Sequence, residues 1–181
     1  MNTTPTHQTT AHWQEALRVH WNIDADLVRL DGEYDLNFLA KDADNRGYIL
    51  KVMRADCAQW LVDMQGKAFE HITAKQPQLP CPRVIRSAQG RAQMTLPDET
   101  GTPRLVWVLN QVAGQCYATA QPKSDALIDE VGGVLGGAAK ALADFSHAGL
   151  ARDFKWDLMQ AAWITSALEQ VADPARRAIL S

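Results

Sequence analysis

Apolar and polar residues alternate with period two over Tyr34–Ala40, placing Leu36 and Phe38 on one face and Asp35, Asn37 and Leu39 on the other. Turn residues Asp31, Gly32 and Glu33 precede this run, and Asp44-Asn45-Arg46-Gly47 follows it. The pattern predicts three antiparallel strands within about Leu27–Val52, the third being Tyr48-Ile49-Leu50-Lys51-Val52. Upstream, Trp13, Ala16, Leu17 and His20 or Trp21 fall at helical spacing, which predicts a short amphipathic helix from Ala11 to about Trp21. Downstream, Leu61, Met64, Ala68, Phe69 and Ile72 predict a second helix over about Ala58–Ala74. It stops ahead of Gln76-Pro77, because a proline pushes the residue before it out of the helical region. Leu79-Pro80-Cys81-Pro82-Arg83-Val84-Ile85 reads as a proline-stiffened entry into a fourth strand. A polar turn around Pro97–Pro103 then leads to Arg104–Leu109, the most apolar strand candidate, and Val112-Ala113-Gly114 ends the unit. Antiparallel strands with an inserted helix define an α+β lobe.

The pattern changes after Gln115. From about Ser124 to His147 the spacing predicts a long Ala- and Gly-containing helix, capped by Ser124 or Asp125. Gly132, Gly133, Gly136 and Gly137 each cost about 1 kcal/mol relative to Ala inside a helix, so close packing on a neighbouring helix is expected to compensate. A phosphate-binding reading of these glycines is disfavoured, since no strand precedes them and the spacing is not G-x-G-x-x-G. A further helix is expected from Phe154-Lys155-Trp156-Asp157-Leu158 to about Ala172, and another from Asp173-Pro174. Trp156 and Asp157 read as a packed indole and a carboxylate at that helix's start. The organisation is thus a frayed tail over 1–10, an α+β lobe over 11–114, and a hinge with the start of a helical lobe over 115–181.

Composition narrows the function classes. A net charge of −3 gives no electrostatic reason to expect nucleic acid. No apolar run approaches the roughly 20 residues needed to span a bilayer. The first residues lack the basic start and apolar stretch of a secretion signal. Cys57, Cys81 and Cys116 are odd in number and widely spaced, as expected of reduced thiols in a cytoplasmic protein. No cysteine and histidine stand at metal-ligand spacing, and His147 is expected to close its helix, where a cation suits the dipole.

The lone lysine of the third strand changes the picture most. Burying an ammonium is costly unless an anion meets it. Lys51, the Gly32 turn two strands earlier and the helix that follows are the parts from which kinase-type folds build a nucleotide-phosphate clamp. The competing reading is a snorkelling lysine on an edge strand with its head in solvent. Asn37 is equally readable as a polar residue on an exposed strand face or as part of a nucleotide site.

Leu30-Asp31-Gly32-Glu33-Tyr34-Asp35-Leu36-Asn37-Phe38, followed by Tyr48-Ile49-Leu50-Lys51-Val52, resembles the first three strands of the aminoglycoside phosphotransferase and choline kinase superfamily. Within it the likeness is to the hydroxylysine kinase-like branch, which includes domains fused ahead of class III aminotransferases. Asp63-Met64-Gln65 through Phe69-Glu70-His71-Ile72, then Leu79-Pro80-Cys81-Pro82-Arg83-Val84, resembles its helix and Pro-x-Pro strand. Phe145-Ser146-His147 and Trp156-Asp157-Leu158 resemble the start of its helical lobe. The resemblance implies a protein-kinase-like N-lobe followed by the first helices of a truncated C-lobe, and transfer of the γ-phosphoryl of ATP or GTP to a small-molecule hydroxyl. Lys51 would meet the α- and β-phosphates and the Gly32–Asn37 turn would lie over them. Backbone groups of Leu109–Val112, including Asn110 and Val112, would meet the adenine edge. The helical acid that orients the lysine is ambiguous: Gln65 falls where relatives carry glutamate, leaving Asp63 and Glu70, seven residues apart on one face, as substitutes.

In that family the acceptor-side carboxylate and the magnesium ligands come from a His-Gly-Asp-x-x-x-x-Asn-type loop and a later Asp. Residues 159–181 supply neither, and Asp173 reads as a turn residue. The expectation is nucleotide binding without turnover, with magnesium held only if the missing lobe is supplied, whether by a separate chain or an aminotransferase-linked partner. The alternatives are a non-catalytic binding or scaffold module derived from the kinase fold and a stand-alone α+β domain whose likeness to kinases is only architectural. Uncovered apolar faces on the helical part lead to an expectation of self-association.

Overall fold

In a computed structural model of the chain, the described residues are 7–152, 157, 159, 162 and 164–180. Helix α1 (His7–Trp21) starts ahead of the Ala11 that the apolar spacing gives. Strands β1 (Ala25–Leu30), β2 (Leu36–Asp42) and β3 (Gly47–Val52) follow as two hairpins, then helix α2 (Gln59–Lys75), and strands β4 (Val84–Ile85), β5 (Met94–Pro97) and β6 (Pro103–Asn110). All pair antiparallel in one six-stranded sheet of order β1-β2-β3-β6-β4, with β5 also on β6. The Pro97–Pro103 turn is therefore a hairpin, and β5 is an added strand that the sequence pattern does not reveal.

Period two splits the sheet into two cores. Phe38, Ala40, Leu50, Val52, Val106 and Val108 face Trp13, Leu17 and Trp21 of α1. The intervening positions Ile49, Trp107 and Leu109 face Val62 and Phe69 of α2. Covering both faces explains why β6 reads as a nearly continuous apolar run. The Trp21 indole N–H also donates to the Ile85 carbonyl at 3.0 Å, satisfying a polar atom that α1 carries into the core.

The β5–β6 turn is organised by Asp98. Its carboxylate accepts from the Thr100 hydroxyl at 2.7 Å and from the Thr100 and Thr102 amides at 2.9 and 3.0 Å, and pairs with Arg104 at 3.2 Å. The Thr100 hydroxyl leads in holding its pKa down to about 2 against an ordinary 3.8, with burial opposing and the two amides and Arg104 assisting. A depressed carboxyl stabilises the fold above the unfolded value, and that contribution fades as pH falls through the folded one. Acidification from about pH 4 towards 2 is therefore expected to weaken the fold, and Asp98→Asn to narrow the gap between unfolding midpoints measured at pH 7 and pH 2.5. Asp144, also held at about 2 by Lys75 and then His71, retains its own share in that variant.

Helix α3 (Asp125–Leu142) begins where expected: the Ser124 side chain caps it, accepting from the Leu127 amide at 3.2 Å. It ends before His147, so that residue does not close the helix. Asp144 instead pairs with Lys75 and with His71 at 2.9 Å, and His147 reaches Asp63 at 3.0 Å, so the chain after α3 is drawn onto α2. Among the described residues only Gly137 of the four glycines is closely approached, and by a loop rather than the expected helix: an added Cβ would meet the side chain of Leu79, between α2 and β4, at 2.8 Å. At Gly132, Gly133 and Gly136 it would meet nothing within 4 Å among the described residues. Ile128 and Leu135 are likewise exposed.

The chain divides into two compact units, Met1–His147 and Ala148–Ser181. In the second, a 3-10 turn at Ala148–Leu150 precedes helix α4 (Ile164–Ala167), a 3-10 turn at Leu168–Gln170 and helix α5 (Pro174–Leu180). The long helix expected up to Ala172 is thus broken into short pieces where it is described, and Trp156 and Leu158 lie outside the described residues. Asp173 caps α5, accepting from the Ala175 amide at 2.9 Å ahead of Pro174 in the first turn. Among the described residues no helix is long and apolar enough to cross a membrane.

Candidate functional site

Lys51 lies on β3, between β2 and β6, so it is not an edge lysine. The register sets it directly opposite Asn37 on one side and Trp107 on the other, all on the α2 face. The half-buried ammonium donates to Asn37 Oδ1 at 2.7 Å. Asn37 Nδ2 donates to the Asp35 carbonyl at 3.3 Å, which fixes the amide and aims its oxygen at the lysine. Burial pushes the Lys51 pKa down, and the Asp35 charge opposes that push. A cation held by one neutral oxygen in a partly desolvated place has unused capacity for an anion.

The β1–β2 loop folds back against this pair. A Cβ added at Gly32 would stand 2.4 Å from Asn37 Nδ2 and 2.7 Å from the Asp35 carbonyl, so only glycine fits. Asp35 Oδ1 accepts from the Arg54 amide at 2.8 Å, tying the loop to the end of β3. Asp35 is the site residue that sequence reasoning did not single out. Its signal was present, since it shares a face with Asn37 two residues away. Gly32→Ala is expected to displace Asn37 from Lys51, cost about 1–3 kcal/mol as an overpacking substitution, and shift the midpoint of a denaturant titration accordingly.

The two carboxylates expected to orient Lys51 have other partners. Asp63 pairs with Lys67 at 2.7 Å and with His147 at 3.0 Å, and these hold its carboxyl below the usual range, Lys67 foremost. Glu70 pairs with Arg86 at 2.8 Å. Among the described residues no carboxylate lies within ion-pair distance of Lys51, and Asn37 stands in that place. Asp63 is taken by Lys67 one turn along α2 and by His147, and Glu70 by Arg86 beyond β4.

At the end of β6, Asn110 and Arg83 exchange hydrogen bonds, amide to carbonyl at 3.0 Å and amide to Asn110 Oδ1 at 2.5 Å. The Gln111 amide donates to the Gly47 carbonyl at 2.8 Å. The amides of Asn110 and Gln111 are therefore committed to the sheet, and Val112, 38% exposed, is the first residue beyond it. Among the described residues no group of three or more His, Cys, Asp and Glu side chains is placed to hold a metal ion.

No protein-family model and no curated protein matches the sequence. Solved structures do. Amicoumacin kinase, in complex with AMP-PNP, Ca2+ and Ami, superposes with a TM-score of 0.67 at 14% identity, covering 86% of this chain and 49% of that one. The microcompartment-associated aminopropanol kinase gives 0.63 at 19%, covering 86% and 47%. This chain spans about half the length of either neighbour. The fold is thus α+β and kinase-like: an N-lobe of antiparallel sheet and helices, with part of a helical C-lobe.

Proposed function

We propose that this chain is the nucleotide-binding portion of an ATP- or GTP-dependent small-molecule phosphotransferase of the aminoglycoside phosphotransferase and choline kinase type, hydroxylysine kinase-like branch. The observation that carries the reading is the Lys51–Asn37 pair on an interior strand beneath the Gly32 loop. In it Lys51 meets the α- and β-phosphates, the backbone of the 32–37 loop covers them, and the chain at Val112 offers its backbone to the adenine edge. Two kinases with this fold, one of them bound to AMP-PNP, support nucleotide as the ligand. The name of the second, an aminopropanol kinase, supports an amino alcohol as acceptor.

Binding without turnover is the form of activity proposed for the 181-residue polypeptide. Its sequence holds no His-Gly-Asp-x-x-x-x-Asn loop, and losing a catalytic carboxylate and magnesium ligands removes much of the roughly 8–23 kcal/mol by which enzymes lower barriers. Thermal unfolding with and without millimolar ATP or GTP tests the first claim: a raised midpoint is expected, and indifference to both nucleotides sinks it. A coupled kinase assay over amino alcohols and hydroxylated amino acids tests the second, with no turnover expected.

A further inference from the structure

A cavity of about 550 Å3 opens between α2 and the β4–β6 side of the sheet, and neither Lys51, Asn37 nor Gly32 lines it. Its apolar lining includes Val62, Val84, Leu105 and Trp107, and Arg91 and Gln93 also line it. Trp107 is the wall it shares with the lysine site, being opposite Lys51 in register and stacked on Phe69 at 6.4 Å between ring centres. The size suits a small molecule.

The charges around it are unevenly matched. Asp63 and Glu70 also line the cavity, but Lys67, His147 and Arg86 already meet them. The exposed Arg91 guanidinium has no carboxylate partner among the described residues. Gln93 Oε1 is buried with no donor in reach. A buried acceptor left unpaired costs free energy that a ligand donor would recover. The lining therefore asks for three things in one molecule: a flat apolar body for Trp107 and its aliphatic neighbours, an N–H for Gln93, and a carboxylate for Arg91.

We propose that this cavity is a second ligand site, separate from the nucleotide site, for small aromatic carboxylates that carry an N–H donor. The proposal stands independently of the nucleotide reading. Indole-3-acetate has all three features and serves as the probe, titrated into the full chain and followed by 1H–15N correlation spectra. Saturable shifts at Arg91, Gln93 and the Trp107 indole are expected. Arg91→Ala should weaken binding threefold or more, as should replacing the probe by the neutral indole-3-acetamide, because a charge-assisted hydrogen bond is lost. Lys51→Ala should leave the affinity unchanged. Unshifted cavity signals, a smaller loss in either comparison, or loss of binding in Lys51→Ala would each overturn the proposal.

Discussion

Lys51→Ala is expected to abolish most nucleotide-dependent stabilisation while leaving the unliganded protein folded. A ligand present at a hundred times its Kd stabilises by about 2.7 kcal/mol. For a chain of this size that is a rise in Tm of roughly 5–10 °C. Losing a desolvated charge contact to a phosphate weakens binding by about a hundredfold. At the same nucleotide concentration the variant then retains only about 0.4 kcal/mol, or roughly 1 °C. The unliganded fold is spared because the ammonium is itself partly desolvated and makes one neutral hydrogen bond, to Asn37. Lys51→Met separates charge from packing, since it keeps the apolar stem. If Lys51→Met and Lys51→Ala both show the full nucleotide shift of the parent, the lysine does not hold phosphate.

Phe38→Ala is expected to be the most destabilising of the substitutions considered, at about 3–5 kcal/mol. Phe38 is 0% exposed and lies in the core beneath α1. The guanidinium of Arg29 lies 5.5 Å from its ring centre, and Arg29 Nη1 is buried without a hydrogen-bond partner. Removing the ring therefore opens a cavity and also takes away the face that shelters this charge. Stabilities of ordinary domains are about 5–15 kcal/mol, so the loss is a large share of the whole. The control is Val28→Ala on the neighbouring strand, where the side chain is 61% exposed and a change within about 0.5 kcal/mol is expected. Denaturant midpoints of the two variants decide the matter, and a Phe38→Ala loss below about 1 kcal/mol would falsify this account of the core.

Elements with a clear period were legible in the sequence, and those set by distant partners were not. The hairpins around Gly32 and Asn45 and helix α2 follow from alternation, turn residues and helical spacing, and the structure places them within a few residues of expectation. Strand β5 escaped because Met94–Pro97 is four residues long, ends in proline and pairs only with β6. The end of α3 escaped for another reason. No Gly or Pro marks that end in the sequence, and the partners that hold Asp144 and His147 beyond it, His71, Lys75 and Asp63, lie about 70 to 84 residues away. The same holds at the site. Strand phase was enough to put Asn37 and Asp35 on one face, and the β2–β3 register sets Lys51 beside them. Asp63 has a local partner in Lys67 and a distant one in His147, and Glu70 has Arg86, so face alone could not tell an acid aimed at Lys51 from one aimed elsewhere.

The placement of Lys51 on a strand flanked by two others has a mechanical meaning. Its backbone is fastened along both edges, whereas the hairpin tip above it is held through Asp35, to Arg54 on one side and Asn37 on the other. The pair works as a vice with one fixed jaw and one adjustable jaw. Tighter grip on a triphosphate is then to be sought by stiffening the tip, where freedom is surrendered on capture, and adding cations to the strand would achieve less.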